Sequence, residues 1–313
     1  MKAARIHAYG EPDVLKYEDA PRPEPAAGEV LVKVHAIGLN PVDWKTRAGS
    51  GMSGRYGNQF PMIIGWDISG VVEAVGSSVT KFKVGDAVFG MVRFPDNGNA
   101  YAEYVAAPEH DLALKPQNVD FLQAAAIPLA ALTAWQGFFE EGDLQSGQSV
   151  FIQAGAGGVG HLAVQIAKAK GAYVISTAST ANVEFVRSLG ADEVIDYRTT
   201  RVEEAVTPVD FALDTVGAAT LAQSLRLVKA GGQLVSIAGQ PDMDEAQRRG
   251  IKASRFLVHT NESQLAQIAA LMAAGKLKTT VTQVFPLAET AQAHQAGETR
   301  DLRRGKIVLQ VVP

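Results

Sequence analysis

The spacing of hydrophobic positions divides the chain into two parts. Over about the first 120 residues, short apolar or alternating runs are separated by turns rich in Gly and Pro, a pattern typical of a β-rich unit. The strands predicted there are Met1–Ala8, Val30–Ala36, Ile68–Val75, Asp86–Met91 and Ala102–Ala106. From about Phe121 onwards, helical and strand-like runs alternate, which predicts βαβ units and a parallel sheet.

The second part opens with two predicted helices and continues as a regular alternation. The elements predicted are helices 121–127 and 130–140, strand 149–154, helix 158–170, strand 172–177, helix 181–189, strands 193–196, 209–213 and 232–238, helix 219–228, strand 251–258 and helix 263–274. The strand-like tail Gly305–Val312 is expected to return to the first domain, which is then discontinuous. A chain of 313 residues exceeds one ordinary core, so two domains are expected.

Composition and charge narrow the class of protein. A hydrophobic content of 47% with 20% charged residues is typical of a soluble globular protein. The net charge of −4 and the lack of a long basic run argue against nucleic acid or a membrane as partner. The longest largely apolar run, Ala124–Trp135, is too short to span a bilayer. No signal pattern is recognised at the N-terminus, and a cytoplasmic location is expected.

The chain contains no cysteine, which excludes disulfides, thiolate zinc sites and cysteine nucleophiles. The six histidines are scattered without metal-ligand spacing, so we expect structural or surface roles and no metal site. They are His7, His35, His110, His161, His259 and His294. Asp19 and Asp214 are interpreted in the same way.

The segment Gln153–Gly160, QAGAGGVG, carries the clearest chemical signal. Gly155, Gly157 and Gly160 form G-x-G-x-x-G between an apolar strand and a helix. In that context the glycines permit a tight turn, close approach of a pyrophosphate and close helix–strand packing. The helix N-terminus adds free N–H groups and a positive dipole end. Dinucleotide binding is therefore predicted; the alternative is a structural βα turn.

Further motifs resemble the zinc-independent quinone oxidoreductase and enone oxidoreductase branch of the medium-chain dehydrogenases/reductases. The matching segments, in order, are 36–43 (AIGLNPVD), Phe60-Pro61, 65–70 (GWDISG), 72–76, 84–86, 100–104, 213–217 (LDTVG) and Gly231-Gly232. The segment 177–197 is similar to plant-type NADPH-dependent enone and quinone reductases. The order and spacing of these motifs are far more specific than any one of them.

This resemblance implies an α/β protein with a GroES-like β-rich catalytic domain and a Rossmann domain built on a doubly wound parallel sheet. The expected boundaries are 1–122 with 280–313 for the first and 123–279 for the second. The active site is expected in the cleft between them. A homodimer is also expected, since dimers are common in the family and the strand-like run Ile251–Val258 would expose an edge.

The same resemblance explains why no zinc is expected. Zinc-dependent relatives place Cys where this chain has Asn40, and a His-Glu pair where it has Trp66-Asp67. A tetrahedral catalytic zinc then has no obvious ligand set. Reduction of a quinone or an activated C=C needs no metal, because the conjugated carbonyl already accepts the charge that hydride transfer delivers.

The cofactor is predicted to be NADPH. An NAD-binding carboxylate is expected roughly 20 residues into the glycine fingerprint, but Ser176–Thr180 contains none, and a carboxylate there would repel a 2′-phosphate. The resemblance adds Tyr197 near the phosphate and Thr133 near the nicotinamide. Relatives often carry a Lys where this chain has Ala181–Val183, and Arg187 lies one turn further on. Candidate cofactor contacts are Thr133, Gly155, Gly157, Gly158, Val159, Gly160, Ser176, Thr177, Ser179, Tyr197, Val216, Ala238 and Gly239.

Two residues are candidates at the reacting end. The resemblance places the turn after Val30–Ala36 beside the nicotinamide, where a donor or cation would stabilise an enolate-like transition state. Lys45 is the cationic candidate and Asn40 the neutral donor. The alternatives are a surface lysine and a turn residue before Pro41. Trp66 and Tyr56 either line the pocket or pack in the core, and Thr133 has the alternative of bonding to its own helix.

Three functions remain open. The leading one is NADPH-dependent reduction of quinones or α,β-unsaturated carbonyls, with the proton supplied by water. The second is enoyl-thioester reduction. The third is a nucleotide-binding structural or regulatory protein without turnover, because a fold does not fix a function.

Overall fold

A computed structural model describes residues 1–299 and 304–312. The strands, in chain order, are β1 (Lys2–Ile6), β2 (Leu15–Asp19), β3 (Glu29–Gly38), β4 (Met62–Ile63), β5 (Asp67–Val75), β6 (Ala87–Met91), β7 (Tyr104–Pro108), β8 (Leu112–Leu114), β9 (Ser149–Ile152), β10 (Tyr173–Ala178), β11 (Glu193–Asp196), β12 (Val209–Asp214), β13 (Val228–Ser236), β14 (Lys252–Arg255), β15 (Val281–Pro286) and β16 (Lys306–Gln310).

The α-helices lie between these strands. They are α1 (Pro41–Arg47), α2 (Ser53–Tyr56), α3 (Phe121–Ala125), α4 (Pro128–Phe139), α5 (Gly160–Ala169), α6 (Val183–Ser188), α7 (Val202–Ala205), α8 (Ala219–Leu227), α9 (Met243–Arg248), α10 (Glu262–Ala273) and α11 (Thr290–Glu298).

The first part of the chain and its C-terminal segment form mainly antiparallel sheet, in which β15 and β16 pair in parallel. A seven-stranded sheet has the order β15-β16-β3-β5-β6-β8, with β7 also paired to β3, and a smaller sheet has the order β2-β1-β4. β16 pairs antiparallel with the end of β3, so the C-terminal segment completes the sheet that the N-terminal segment begins. Apolar side chains of β3, including Val30, Val32 and Ile37, are fully buried in its core.

The second part of the chain forms a parallel sheet of the order β11-β10-β9-β12-β13-β14, with all five strand pairs parallel. β9 lies between β10 and β12, so the strand order reverses there. Ligands of doubly wound sheets bind at such a switch point, outside the carboxyl ends of the strands. The segment Gln153–Gly160 occupies that position, between β9 and α5.

The predicted fold class is confirmed, whereas several local predictions are wrong. The segment after β3, predicted as a turn, is helix α1, because Pro41 occupies its first position and Asn40 and Asp43 form a capping box. The strand predicted over 251–258 covers only Lys252–Arg255. Elements β15, α7, α9 and α11 are not among the predicted ones. Within the described ranges, no helix combines the length and hydrophobicity needed to cross a membrane.

Candidate active site

The loop after β9 is shaped by glycines packed against their neighbours. A Cβ at Gly155 would lie 2.2 Å from the Ser176 hydroxyl oxygen, and one at Gly160 would lie 2.1 Å from the carbonyl oxygen of Ala154. Neither position tolerates a side chain without movement of the backbone or of β10. A Cβ at Gly157 would lie 3.2 Å from the Ala154 carbonyl oxygen, so the crowding is smaller there.

The same loop presents backbone donors at the start of α5. In the part of the chain that the structure describes, the N–H groups of Gly158 and Val159 donate no hydrogen bond to the protein. Unpaired N–H groups at a helix N-terminus, together with the helix dipole, form a favourable environment for an anion. The loop therefore fits the pyrophosphate of a dinucleotide.

His161 supports this loop from the protein interior. Its Nε2 atom lies 3.5 Å from the Thr280 amide nitrogen, which donates to it, and its Nδ1 lies 2.8 Å from the Gly157 carbonyl oxygen. The acceptor role of Nε2 assigns the proton to Nδ1, which donates to Gly157. Burial lowers the pKa of His161 to about 4, so the ring is neutral near pH 7.

Two of the predicted cofactor contacts on β10 have side chains directed inwards. The Ser176 hydroxyl donates to the Ile152 carbonyl at 2.7 Å, and Ser176 is fully buried. The Thr177 hydroxyl donates to the Gln153 side chain at 3.0 Å and accepts from the Ala154 N–H at 2.9 Å. These side chains hold the glycine-rich loop against β10, which places them behind the loop.

The next residues lie where β10 and β11 end side by side. Ala178 is in register with Asp196, so Ser179 and Tyr197 follow neighbouring strand ends. Tyr197 is 51% exposed, and Arg198 is exposed beside it with its guanidinium 6.0 Å from the Tyr197 ring. Arg198 is not among the residues predicted from the sequence, whereas Arg187 was considered for this edge. Arg187 instead forms an ion pair with Glu184 on α6.

A carboxylate also lies at this edge, contributed by the strand next to β10. Asp196 accepts a hydrogen bond from the Arg198 N–H at 3.0 Å, and the Thr180 hydroxyl holds the pKa of its carboxyl below the usual range. β10 itself ends without an acidic residue, so the end of that strand alone does not indicate Asp196.

The loops after β12 and β13 lie beside each other. A Cβ at Gly217 would lie 3.1 Å from the Ala238 carbonyl oxygen. Asp214 fixes the first loop by accepting from the N–H groups of Val216 and Gly217, and the Ser236 hydroxyl accepts from those of Ala238 and Gly239. Because β12 pairs with β9, Val216, Ala238 and Gly239 lie at the same sheet edge as the glycine-rich loop.

Asn40 lies in a buried polar cluster with Asp67 and Lys306. Its side-chain N–H donates to Asp67 at 2.9 Å, and its side-chain oxygen accepts from the Lys306 ammonium. Asn40 is 1% exposed, and its second N–H direction is taken by the Gly38 carbonyl at 3.5 Å. The amide is therefore engaged within the protein on both sides.

Asp67 joins this cluster to α4. Its carboxylate oxygens lie 3.0 and 3.1 Å from the Leu129 amide nitrogen, in the first turn of α4. Burial raises the pKa of Asp67 to about 7 against the opposing effect of the Lys306 ammonium. The hydroxyl of Thr133, further along α4, donates to the Leu129 carbonyl at 2.7 Å, and Thr133 is 5% exposed.

A directional chain of hydrogen bonds lies behind α1. The Tyr101 hydroxyl donates to Asp43 at 3.0 Å, so the His294 Nε2–H, also at 3.0 Å, must donate to the tyrosine oxygen. Nδ1 of His294 then accepts from Arg47 at 3.4 Å. Burial lowers the pKa of His294 to about 3, consistent with this neutral tautomer. The chain fixes the buried face of α1.

Lys45 lies on the opposite, exposed face of α1. Across the described residues, its ammonium makes no hydrogen bond or ion pair.

Trp66 is fully buried, donates to the Asp96 carbonyl at 2.7 Å and packs edge-on against Phe94. Half-buried Tyr56 lies next to Trp66 with its hydroxyl donated to the Pro95 carbonyl. The structure thus favours packing for Trp66.

The sequence matches two known domain families and a set of related enzymes. The alcohol dehydrogenase GroES-like domain family matches residues 26–117, and the zinc-binding dehydrogenase family matches residues 189–309. The chain is 38% identical over 323 residues to the "NADPH-dependent alkenal/one oxidoreductase, chloroplastic" of Arabidopsis thaliana, covering 100% of this chain and 80% of that protein. The chain belongs to the medium-chain dehydrogenase/reductase family, in its quinone and enone oxidoreductase branch.

Solved structures of this family have the same fold. A quinone oxidoreductase from Coxiella burnetii superposes with a TM-score of 0.92 at 40% identity, covering 100% of this chain and 99% of that one. The Escherichia coli quinone oxidoreductase complexed with NADPH superposes with a TM-score of 0.87 at 28% identity, covering 99% and 100%. The resemblance stated from the motifs is confirmed.

One of the two matching families is described as zinc-binding. Among the described residues, no group of three or more His, Cys, Asp or Glu side chains is placed to hold a metal. Asn40 and Asp67 bond to each other, and the cation beside them is the Lys306 ammonium. The chemistry at this position is therefore that of a buried amide, carboxylate and ammonium.

Proposed function

We propose that this chain is an oxidoreductase that uses NADPH to reduce quinones or α,β-unsaturated carbonyls by hydride transfer without zinc. The observation that carries the proposal is the buried Asn40–Asp67–Lys306 cluster, because it lies next to a glycine-rich loop and holds an ammonium instead of metal ligands. The related Arabidopsis thaliana protein is named for alkenal and alkenone substrates, and the Escherichia coli enzyme was solved with NADPH.

NADPH, when bound, supplies the hydride; the chain's residues hold and orient the reactants. The N–H groups at Gly158 and Val159 bind the pyrophosphate, with Gly155, Gly157 and Gly160 allowing its approach. Val216, Ala238 and Gly239 line the neighbouring loops at the same sheet edge, and Thr133 lies on the nicotinamide side. Ser176 and Thr177 contribute by supporting the loop.

The 2′-phosphate is held at the ends of β10 and β11. We assign it to the Ser179 hydroxyl, the Tyr197 hydroxyl and the Arg198 guanidinium, which supplies the cation that α6 lacks at its start. A guanidinium and hydroxyls are suitable donors to a phosphate dianion. Arg198 also offsets the charge of Asp196.

At the reacting end, Lys45 is the group proposed to stabilise negative charge on the substrate oxygen. Its exposed ammonium is available, whereas both sides of the Asn40 amide are engaged within the protein. For Asn40 to donate to the substrate, its amide N–H would have to give up the hydrogen bond to Asp67. The proton that completes the reduction comes from water, so no dedicated acid is required.

A turnover screen with NADPH tests this proposal. Small quinones, short enones, reactive aldehydes and enoyl thioesters are the substrate classes to compare at equal concentration. The highest kcat/KM with quinones or enones supports the proposal. The highest kcat/KM with enoyl thioesters would instead identify the protein as an enoyl-thioester reductase. Tight NADPH binding without turnover of any class would favour a regulatory nucleotide-binding protein.

The domain division and the assembly are parts of the same proposal. β16 pairs with β3, and β15 pairs with β16, which supports assigning 1–122 and 280–313 to the GroES-like domain and 123–279 to the Rossmann domain.

The edge of the six-stranded sheet supports a homodimer. This edge is formed by β14, which is followed by Leu257, a residue that is 53% exposed. Light scattering at micromolar concentration tests the dimer. The cytoplasmic location stays a prediction, which cell fractionation tests.

A further inference from the structure

Lys306 is a buried lysine at the junction of the two sheets. It is 5% exposed, and its ammonium donates to the Leu39 carbonyl at 2.7 Å and to the side-chain oxygen of Asn40. The Asn40 amide links this ammonium to Asp67, because its oxygen accepts from Lys306 and its N–H donates to the Asp67 carboxylate. Burying an ammonium costs free energy unless its N–H groups are hydrogen-bonded. Both hydrogen bonds of the Lys306 ammonium are to the turn that contains Leu39 and Asn40.

The backbone around Lys306 is attached to the glycine-rich loop. The Gly305 N–H donates to the Ala156 carbonyl at 2.9 Å, and the Lys306 N–H donates to the Thr280 carbonyl at 2.8 Å. Gly305 has φ +65, and a Cβ there would lie 2.1 Å from the Thr280 carbonyl oxygen, so this approach requires glycine. The Lys306 stem then passes Gly158, where an added Cβ would lie 3.4 Å from Lys306 Cδ.

One side chain therefore contacts both halves of the site. Its stem lies along the loop that faces the cofactor phosphates, and its ammonium fixes the turn that begins α1, which carries Lys45. We propose that Lys306 is a positioning residue for the reduction, which holds the Asn40 amide and α1 in a fixed relation to the glycine-rich loop. The proposal rests on the proposed function for its kinetic part only.

Charge neutralisation of Asp67 is the competing explanation for a buried lysine. The two explanations differ in what happens when Asp67 loses its charge. If Lys306 only neutralises Asp67, then Asp67→Asn should remove the need for it. If Lys306 positions Asn40 and α1, its loss should impair the reaction whether or not Asp67 is charged, since the bonds to Leu39 and Asn40 are lost in both backgrounds.

The experiment compares Lys306→Met, Asp67→Asn and the double variant in the full chain, with Lys33→Met as the control. Lys33 is an exposed lysine of β3, the strand that leads into the same turn. We expect Lys306→Met to lower kcat for an enone at least tenfold, with KM and the NADPH Kd changed less than threefold. The double variant should remain at least fivefold below Asp67→Asn in kcat.

Hydrogen–deuterium exchange of the cofactor-free proteins gives a readout that does not depend on turnover. Lys306→Met should increase exchange in peptides covering 38–43 and 154–160, and Lys33→Met should leave both at the wild-type rate. Unchanged exchange in both segments, or recovery of the double variant to the kcat of Asp67→Asn, would overturn the proposal. If the wild-type protein turns over none of the substrates, the proposed function fails, and the exchange comparison alone decides the role of Lys306.

Discussion

Asp67 accepts the Leu129 N–H at 3.0 and 3.1 Å, so the first residue of β5 caps the first turn of α4. This carboxylate also accepts a hydrogen bond from Asn40, so a single side chain bonds to both the turn before α1 and the start of α4. The cluster therefore connects the sheet that contains β5 to the helix that carries Thr133, which gives its polar side chains a structural role.

Cofactor preference should depend on the end of β10. Ser179→Asp is expected to weaken NADPH binding by on the order of tenfold or more and to leave NADH binding within about threefold, because a carboxylate repels the 2′-phosphate. Fluorescence titration of both cofactors measures the change. Equal loss for the two cofactors would mean that Ser179 does not face the 2′-phosphate.

Arg198 should contribute to the same preference. Arg198→Ala is expected to raise the NADPH Kd by on the order of tenfold, the effect of losing one charge-assisted contact, with little change for NADH. Arg187→Ala is the matched control, because Arg187 is an exposed arginine paired with Glu184. The assignment fails if the two variants bind NADPH alike.

Lys45 should act on the reaction rather than on cofactor binding. Lys45→Ala is expected to lower kcat/KM for enones by on the order of 10²-fold, similar to loss of one oxyanion donor. Lys45→Arg should recover part of this, since the guanidinium keeps the charge but differs in shape. Quinones should be less affected, because they accept electrons readily without a positioned cation.

Two controls accompany the Lys45 experiment. The NADPH Kd should stay within about threefold in Lys45→Ala, and Lys33→Ala should behave as wild type. Unchanged enone kinetics would return Lys45 to the interpretation of a surface lysine and transfer the proposed role to Asn40.

The buried His161 should make stability sensitive to acid. In the unfolded chain its pKa is the ordinary 6.5, whereas burial holds it near 4 in the folded protein. Between these values only the unfolded chain takes up the proton, so the stability from burying a neutral ring is fully present above pH 6.5 and declines as the pH falls towards 4. The decline from this residue amounts to roughly 3 kcal/mol.

His161→Gln tests this contribution, because glutamine also offers a donor and an acceptor but does not titrate. Relative to the variant, the wild type should lose about that amount of unfolding free energy between pH 7 and pH 4. Urea unfolding at a series of pH values measures it. Parallel pH profiles for the two proteins would show that His161 is not held neutral.

The parts of the site that are local in sequence could be predicted. The glycine-rich loop follows from the spacing of Gly155, Gly157 and Gly160 between a strand and a helix, and the end of β10 follows from the next strand-like run. Helix α1 is predictable too, since Asn40, Pro41 and Asp43 match a capped helix start, although the same residues are also typical of a turn.

Contacts between distant segments could not be predicted. Lys306 lies 266 positions after Asn40 in a tail that shows only a strand-like pattern. That pattern does not indicate that the lysine side chain is buried. The hydroxyls of Ser176, Thr177 and Thr133 illustrate the same limit, because residue type shows a donor but not whether that donor reaches a ligand or a neighbouring carbonyl.

The most direct test of metal-free, NADPH-dependent reduction is product analysis with a short enone in the presence of a chelator. The account predicts steady NADPH oxidation that EDTA does not reduce, with one saturated ketone formed per NADPH consumed, because hydride goes to the β-carbon. Loss of turnover with EDTA and its recovery with zinc would contradict the account, as would formation of the allylic alcohol.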